Sequence, residues 1–292
     1  MIINPAAGGA RSGYFSKVVA ELRRLDCAVE VRATTPAPGD AERLAREAEA
    51  EFDVIVAAGG DGTVNAVANG MRDQARPLAV IPLGTANVLA KEIAMPRDPQ
   101  AVAAVIAGGE AREVWPGRVE DRLFIAMAGA GFDADVVARV DSRLKRLVGR
   151  LAFAWAILVC LRRYRAAELV VEVDGVVYPA ASLVIAKGRL YGGRFVLAPA
   201  ADIHVPTLHA VLFQRSGRLA VLRSLAAMVT GLTHRLPEIT IVRGRSIRLS
   251  GAASAALHVD GETFGLTPAA VALADRPVRL IVPDPAARGR RR

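Results

Sequence analysis

The first third of the chain alternates short apolar runs with amphipathic patterns. The apolar runs predict strands at residues 2–3, 29–33, 52–58 and 78–81. Patterns with apolar residues on one face and Glu or Arg on the other predict helices over 14–25 and 40–51. A third helix starts at Thr63, and a fourth, after the turn at 82–85, ends at Ala94. Each strand is followed by a turn and a helix. This order predicts a parallel sheet with helices on both faces.

Beyond Val114 the pattern changes to short, closely spaced runs of Val, Ile, Leu and Phe. These runs predict strands at residues 123–126, 169–173, 176–178, 182–186, 195–198, 208–213, 239–242, 247–249 and 257–259. Asp174-Gly175 predicts a two-residue hairpin turn of the primed type. Helical patterns interrupt the strands at 142–165 and 219–231. Many close antiparallel strands indicate an all-β sandwich or barrel.

Composition narrows the class of protein. Of the 292 residues 52% are apolar and 23% are charged, which indicates globular domains and not a disordered chain. Cys27 and Cys160 are too few for a disulfide framework, and no Cys/His cluster has zinc spacing. Only four of the 38 basic residues are lysines, so the net charge of +9 indicates a coding bias more than a nucleic-acid surface. We expect neither a secretory leader nor a membrane span.

The strongest local signal is the loop Gly59-Gly60-Asp61-Gly62-Thr63, which joins a buried-type strand to a helix. Glycines allow a ligand to approach the backbone, and a helix N-terminus attracts phosphate. An aspartate in such a cradle indicates a bridging Mg²⁺ or a proton-transfer role. The alternative interpretation is an ordinary strand-to-helix turn.

Two further loops, residues 4–9 and 82–87, also follow predicted strands and precede helices. The carboxyl ends of parallel strands meet at one edge, so the three loops should form one crevice suited to a nucleotide. The loops match neither the dinucleotide fingerprint nor the P-loop. Leu257 to Glu262 predicts, taken alone, only a hairpin turn, and the four histidines lack metal spacing.

Five stretches in this order resemble the diacylglycerol kinase catalytic-domain family, which includes bacterial lipid kinases and the sphingosine and ceramide kinases. The stretches are Asn4-Pro-Ala-Ala-Gly8, Gly59-Gly-Asp-Gly-Thr-Val-Asn65, Pro82-Leu-Gly-Thr-Ala-Asn87, Ala128-Gly-Ala-Gly-Phe-Asp-Ala-Asp135 and Asp260-Gly-Glu262. The resemblance extends over nearly the whole chain. The loop from Gly59 to Thr63 by itself is shared with NAD kinases and phosphofructokinases.

The resemblance implies an α/β plus all-β fold with the active site in the groove between two domains. Residues 1–117 would form a nucleotide-binding parallel-sheet domain like those of NAD kinase and phosphofructokinase. Residues 118–275 would form an antiparallel β-sandwich that takes the lipid, residues 276–287 would return to the first domain, and 288–292 would be a disordered basic tail.

The resemblance also assigns site residues. Glu262 would accept the proton, with Asp61 beside it near the metal and phosphates. His204 to Leu208 lacks the carboxylates with which bacterial relatives hold a structural metal, so we expect no such metal, and Trp115 stands where the family often has an aspartate. Contacts to ATP would come from Asn4, Pro5, Ala6, Ala7, Gly8, Thr35, Gly59, Gly60, Asp61, Gly62, Thr63, Val64, Asn65 and Thr85.

The implied function is an ATP- and Mg²⁺-dependent lipid kinase that phosphorylates a hydroxyl of a membrane lipid, with diacylglycerol as the default substrate. The alternatives are a ceramide or sphingoid kinase, an NAD kinase, and a catalytically weakened nucleotide-binding adaptor at the membrane. Because Asp61 and Glu262 are both present, catalysis is favoured. We expect a cytoplasmic protein, peripheral at the inner membrane face, with no nucleic-acid partner and with a homodimer left open.

A helix from Leu147 to Leu161 is the candidate for membrane contact. It is apolar apart from Arg150, with basic residues on both sides: Arg143, Lys145, Arg146, Arg162, Arg163 and Arg165. The helix could simply pack on the β-domain. Alternatively, one face that includes Phe153 or Trp155 lies at the membrane while arginines meet anionic headgroups.

Overall fold

A computed structural model describes residues 1–140, 151–164, 168–251 and 254–284. The chain forms two compact units, one from Met1–Val114 together with the segment that starts at Arg276, and one from Trp115–Asp275. The predicted tail at 288–292 and residues 142–150 and 165 of a predicted helix lie outside the described residues.

The described residues form twenty strands and eight α-helices. The strands are β1 (Ile2–Ile3), β2 (Arg32–Ala33), β3 (Ile55–Gly59), β4 (Leu78–Pro82), β5 (Glu110–Val114), β6 (Gly117–Val119), β7 (Arg122–Phe124), β8 (Met127–Gly131), β9 (Leu169–Val173), β10 (Val176–Ala180), β11 (Ser182–Ala186), β12 (Leu190–Tyr191), β13 (Phe195–Val196), β14 (Leu208–Phe213), β15 (Ile239–Gly244), β16 (Ser246–Gly251), β17 (Ala256–Val259), β18 (Glu262–Leu266), β19 (Ala269–Leu273) and β20 (Val278–Val282). The helices are α1 (Tyr14–Arg24), α2 (Asp40–Arg46), α3 (Asp61–Gly70), α4 (Val88–Glu92), α5 (Pro99–Gly108), α6 (Phe132–Arg139), α7 (Leu151–Arg162) and α8 (Arg218–Thr230).

The sheet of the first unit has the order β2-β1-β3-β4-β20-β5. Neighbours from β2 to β20 are parallel, and β5 is antiparallel to β20 at the edge. Strand β3 is buried along its whole length, as a strand covered on both faces must be. The predicted parallel sheet is confirmed. The predicted strand at 29–33 shrinks to Arg32–Ala33, because its neighbour β1 offers only two residues for pairing.

Strand β20 comes from the far end of the chain and lies between β4 and β5. It pairs in parallel with β4 through Leu280 and Leu78, and antiparallel with all five residues of β5. Leu280, Ile281 and Val282 are buried. The core of the first unit is therefore closed by residues that are about two hundred positions away from β4 in sequence.

The second unit contains two six-stranded antiparallel sheets, ordered β10-β9-β16-β19-β6-β7 and β15-β14-β11-β8-β17-β18. Both sheets contribute to one core, with Phe124 and Ile247 from the first and Leu183, Ile185 and Leu208 from the second. This arrangement confirms the predicted β-sandwich. The Asp174-Gly175 turn is also confirmed, with φ of 46° and 88° at its two residues.

The strand predicted at 123–126 is present but is shifted and ends earlier, and a second strand that was not predicted follows it. Strand β7 ends at Phe124, and β8 begins at Met127. The backbone N–H groups of Ile125, Ala126 and Met127 all donate to the Asp260 carboxylate, at 2.8–2.9 Å. This side chain interrupts the strand. The sequence pattern missed β8 because the strand is built from Met, Ala and Gly.

Helix α7 packs one face against α6 and exposes the other. Ala156 and Cys160 are buried against Val136, with Phe153 and Ile157 packed beside them. Trp155 and Leu158 lie on the exposed side, 60% and 51% accessible. Of the two aromatic residues named for the outward face, Trp155 is on the exposed side and Phe153 is on the packed side, because Phe153 has i, i+3, i+4 spacing with the buried positions.

None of the helices in the described part of the chain is long and apolar enough to cross a membrane.

A buried cation organises the loop between β13 and β14. Lys187 is fully buried, and its Nζ donates to the carbonyl oxygens of Asp202 and Val205 at 2.7 and 2.8 Å. A buried ammonium requires such partners to offset its lost hydration. Within the described ranges no group of three His, Cys, Asp or Glu side chains could hold a metal ion. The loop does not fit a structural metal, because two of its carbonyl oxygens already bind an ammonium.

We expect Lys187→Met to lower the free energy of unfolding by about 1–3 kcal/mol, because two part-buried hydrogen bonds from a charged donor are lost. Denaturant unfolding of purified protein measures the change. Lys17→Met, on the exposed side of α1, is the matched control and should be neutral. EDTA should leave the melting temperature of the unmodified protein unchanged, and a drop comparable to that of Lys187→Met would contradict this account.

Candidate active site

Three loops of the first unit meet at the carboxyl ends of β1, β3 and β4. Asn4 Nδ2 donates to Thr63 Oγ1 at 3.3 Å, and the Gly9 amide donates to the Leu83 carbonyl at 2.9 Å. A Cβ atom at Gly84 would lie 2.5 Å from the Gly60 Cα, so only glycine permits this approach. The predicted convergence of residues 4–9, 59–63 and 82–87 is confirmed.

The first loop turns on Asn4. Its side-chain Oδ1 accepts the Ala6 backbone amide at 2.9 Å, and its backbone N–H donates to the Ala58 carbonyl at 2.9 Å. Asn4 is thus held against β3 and α3, while Pro5, Ala6 and Gly8 are exposed and Ala7 is half-buried. The loop presents its backbone outward, which suits contact with a ligand.

The second loop ends in α3, whose first residue is Asp61. Gly60 occupies the N-cap position and has no side chain that could cap the first turn. The backbone N–H groups of Gly62 and Thr63 in the first turn point out of the helix, where the dipole attracts an anion. The predicted contact residues Val64 and Asn65 lie inside the unit. The Val64 amide donates to the Gly60 carbonyl, and the buried Asn65 side chain accepts from Asn69 at 3.1 Å.

Asp61 connects the second loop to the third. Its Oδ1 accepts the amides of Val88 at 2.6 Å and Leu89 at 3.4 Å, at the start of α4. Asn87 precedes this helix with φ of 47°, and its side chain bonds both backbone groups of Gly84 at 2.8–2.9 Å. Sequence reasoning missed both roles. An Asn immediately before a helix was the available signal.

Thr35 and Thr85, the remaining predicted ATP contacts in this unit, differ in their surroundings. The amide and hydroxyl of Thr35 donate to Asp40 Oδ2 at 2.7 and 3.0 Å. The pKa of Asp40 is lowered first by the Thr35 amide and then by hydrogen bonding from Arg43. Thr85 is exposed in the third loop. Both threonines are exposed, and Thr35 also orders its own loop through its hydrogen bonds to Asp40.

Glu262 belongs to the second unit, where it is the exposed first residue of β18. Asp260 and Gly261 form the preceding turn, with φ of 47° and 81°, so the hairpin predicted from Asp260-Gly261-Glu262 is present. The Asp260 carboxylate holds the turn by accepting hydrogen bonds from the backbone amides of Ile125, Ala126 and Met127, at the start of β8. Asp260 thus positions the turn, and the Glu262 carboxylate remains at the surface of the hairpin.

A buried polar cluster behind this hairpin was given no role by sequence reasoning, although Asp133 and His258 lie in stretches that this reasoning singled out. It consists of Asp133, Tyr191 and His258, which are separated by more than fifty residues along the chain. Another histidine, His209, is buried on β14, and burial followed by the charges of Arg243 and Lys187 lowers its pKa to about 4. His209 is therefore a neutral core side chain.

Comparison with known protein families assigns both parts of the chain. Residues 1–119 match the diacylglycerol kinase catalytic domain, and residues 126–282 match the YegS C-terminal NAD kinase beta sandwich-like domain. The two matched regions together include all three converging loops and the Asp260-Gly261-Glu262 hairpin.

Curated relatives and solved structures agree. A diacylglycerol kinase from Bacillus subtilis (strain 168) is 28% identical over 290 residues, covering 97% of this chain and 95% of the relative. A diacylglycerol kinase from Staphylococcus aureus (strain bovine RF122 / ET3-1) is 31% identical over 252 residues, covering 84% and 80%. The crystal structure of a diacylglycerol kinase from Bacillus anthracis str. Sterne has the same fold, with a TM-score of 0.80 at 24% identity and coverage of 98% and 96%.

The glycine-loop geometry, the hairpin and these matches lead to one assignment: the chain belongs to the diacylglycerol kinase catalytic-domain family and is a lipid kinase.

Proposed function

We propose that this lipid kinase transfers the γ-phosphate of ATP to the free hydroxyl of diacylglycerol. The observation that carries the proposal is the first turn of α3, which begins at Gly60-Asp61 where three loops converge. Such a turn binds phosphate through backbone N–H groups. The exposed backbone of the first loop and the Thr85 hydroxyl would complete the ATP contacts, while Val64, Asn65 and Thr35 would act by keeping the loops in place.

In the proposed reaction the lipid hydroxyl oxygen forms a bond to the γ-phosphorus as the bond to the bridging oxygen of ADP breaks. Glu262 accepts the hydroxyl proton and releases it to water, which an exposed carboxylate can do. Mg²⁺ bound with ATP would neutralise the phosphate charge. Asp61 would lie beside the metal and phosphates while its Oδ1 holds α4.

Diacylglycerol is proposed because both curated relatives carry that name. Nothing in the comparisons favours a ceramide or sphingoid substrate, or an adaptor without activity. A radiolabelled ATP assay against diacylglycerol, ceramide, sphingosine and NAD decides between these acceptors. Label in phosphatidic acid supports the proposal, and label only in another product overturns it.

Asp61→Asn and Glu262→Gln should each lower the rate of Mg²⁺-dependent phosphoryl transfer by at least about 10²-fold. Asp61→Asn removes the proposed negative charge near the metal, and Glu262→Gln removes the proposed base. The double variant should be little slower than the more severe single variant, because both residues serve one step. Initial rates with diacylglycerol in mixed micelles measure these effects.

Asp61→Asn keeps a side-chain oxygen for the Val88 amide, so its melting temperature should stay close to that of the unmodified protein. Asp61→Ala is the matched comparison and should melt at a lower temperature, because α4 loses its cap. Near-normal turnover by Asp61→Asn or Glu262→Gln would show that the assigned role is wrong.

We further propose that the exposed sides of α7 and α8 contact the membrane. Together Trp155, Leu158, Leu219, Leu222 and Val229, here called the docking face, are all more than half exposed. Helix α8 places Leu219, Leu222 and Val229 on its solvent side, whereas Ser224, Ala227 and Met228 are buried. Five large apolar side chains exposed on two neighbouring helices are typical of an interaction surface.

The charges around the docking face favour an anionic bilayer. Neither helix contains an acidic residue. Four exposed arginines lie at or within three residues of the end of α7 and the start of α8: Arg162, Arg163, Arg215 and Arg218. These two helix ends are joined by a hydrogen bond from Arg218 Nη2 to the Arg162 carbonyl at 2.8 Å. The other predicted cations, Arg143, Lys145, Arg146, Arg150 and Arg165, lie outside the described residues.

Replacing Trp155, Leu219 and Leu222 by serine should reduce sedimentation with phosphatidylglycerol vesicles by about tenfold or more, because apolar contact area is lost. Arg162→Glu with Arg163→Glu should also weaken binding, since each near-surface cation contributes about 1 kcal/mol. In both variants the apparent KM for vesicle-borne diacylglycerol should rise. Turnover of a short-chain, water-soluble diacylglycerol should not change.

Val176→Ser with Val177→Ser is the matched control, because these exposed valines lie on β10 of the same unit and belong to neither helix. The control should sediment like the unmodified protein. Equal loss of turnover on vesicle-borne and water-soluble substrate in the serine triple variant would mean that α7 and α8 are purely structural.

A further inference from the structure

The buried cluster of the second unit links three distant segments. His258 Nε2 lies 2.6 Å from Asp133 Oδ2, and the Tyr191 hydroxyl donates to Asp133 Oδ1. The side chains of His258 and Asp133 are only 1% and 8% exposed. A Cβ atom at Gly129 would lie 2.4 Å from His258 Nε2, so the absence of a side chain there makes room for the pair.

The hydrogen bonds assign the proton on the imidazole. The backbone N–H of Gly261 donates to His258 Nδ1 at 3.4 Å, so Nδ1 acts as the acceptor and Nε2 carries the hydrogen that it donates to Asp133. Burial, followed by the charge of Asp133, raises the pKa of Tyr191 well above its usual value, which keeps the phenol protonated. Asp133 thus accepts from two buried donors.

This cluster reaches the turn that carries Glu262. His258 lies on β17 and Glu262 opens β18, with only Val259, Asp260 and Gly261 between them. Pairing shifts register next to His258, because Leu257 pairs with Gly265 and His258 with Thr263. Such bulges bend a strand and redirect its side chains, and they are frequent next to active sites. The imidazole thus contacts the turn from the buried side.

The turn is held from two directions. Asp260 is held in place because its carboxylate accepts three backbone amides. The amide of the next residue, Gly261, donates to His258 Nδ1. Stability alone does not require a buried Asp–His–Tyr cluster, because well-packed apolar side chains of similar volume stabilise a core equally well. At one end of the cluster, His258 Nδ1 accepts the N–H of the Asp260–Gly261 peptide, one residue before Glu262.

We propose that Asp133 and His258, completed by Tyr191, are positioning residues that set the orientation of Glu262 for proton transfer. Asp133 fixes the imidazole, and the imidazole fixes the Gly261 amide. The proposal rests on the role of Glu262 in the proposed function. Proton acceptance needs the base within hydrogen-bond reach of the hydroxyl, so a small displacement of the turn slows the reaction.

Two substitutions of His258 separate the two ends of the imidazole. His258→Gln can still donate an N–H to Asp133 but lacks the acceptor next to Gly261. His258→Asn can accept from Gly261 through its Oδ1 but leaves Asp133 without that donor. We expect His258→Gln to lower kcat by about tenfold with little change in the KM for ATP. His258→Asn should retain several-fold more turnover than His258→Gln while melting at a lower temperature.

A merely structural cluster predicts the opposite ranking, in which turnover follows the melting temperature and His258→Asn is the slower variant. That result would overturn the proposal. Where one variant does not fold, Asp133→Ala supplies the second comparison, because it removes the oxygen that accepts from His258 Nε2. It should lower kcat with the KM for ATP unchanged, and an unchanged kcat in a folded Asp133→Ala protein would also overturn the proposal.

The double variant His258→Gln with Glu262→Gln tests whether His258 acts through Glu262. Its residual rate should equal that of Glu262→Gln alone, because a base that is absent cannot be misplaced. A further tenfold loss would show that His258 acts elsewhere. If Glu262→Gln by itself retains normal turnover, the proposed function fails, and that outcome is distinct from a wrong ranking of the His258 variants.

Discussion

Carboxylates that accept backbone N–H groups hold the loops on which this protein depends. The Asp61 carboxylate accepts the backbone amides that begin α4, and the Asp260 carboxylate accepts three backbone amides at the start of β8. Asp40 binds Thr35, and Asp174 binds the amides of Arg245 and Ser246. Loop amides have no partner strand, and each must still be satisfied where it is buried. A short charged acceptor on a neighbouring segment satisfies them and fixes the loop.

This use of aspartate divides the acidic residues of the two candidate regions by task. Asp260 is committed to backbone contacts, and Asp61 holds α4 through its Oδ1, whereas Glu262 is exposed one residue beyond the turn that Asp260 fixes. The longer glutamate side chain stands at the surface of a turn whose backbone is held from below. This arrangement supports the proposal that Glu262 accepts the proton and that Asp260 sets the geometry of the turn.

Two residues replace features that the family resemblance implied. Trp115 packs against the sandwich core, and its amide donates to the Ile203 carbonyl at 2.9 Å, so this position contributes to the core of the second unit and not to a carboxylate network. Lys187 provides a fixed cation for the loop at Asp202 and Val205. Packing orders the first segment, and the buried Lys187 ammonium helps to order the second, where Asp202 Oδ1 also accepts the His204 amide at 2.8 Å.

The sequence by itself determined the fold class, the three glycine loops and the Asp-Gly turns, because these depend on local periodicity and on backbone angles that few residues adopt. Strand β20 pairs with strands distant in sequence, and β8 has too few large side chains to be read as a strand. The contacts of Asp61 with Val88, of Asp133 with His258 and of Lys187 with Asp202 were likewise decided only by the tertiary structure. A buried polar side chain needs a partner, but its identity depends on which distant segment folds against it.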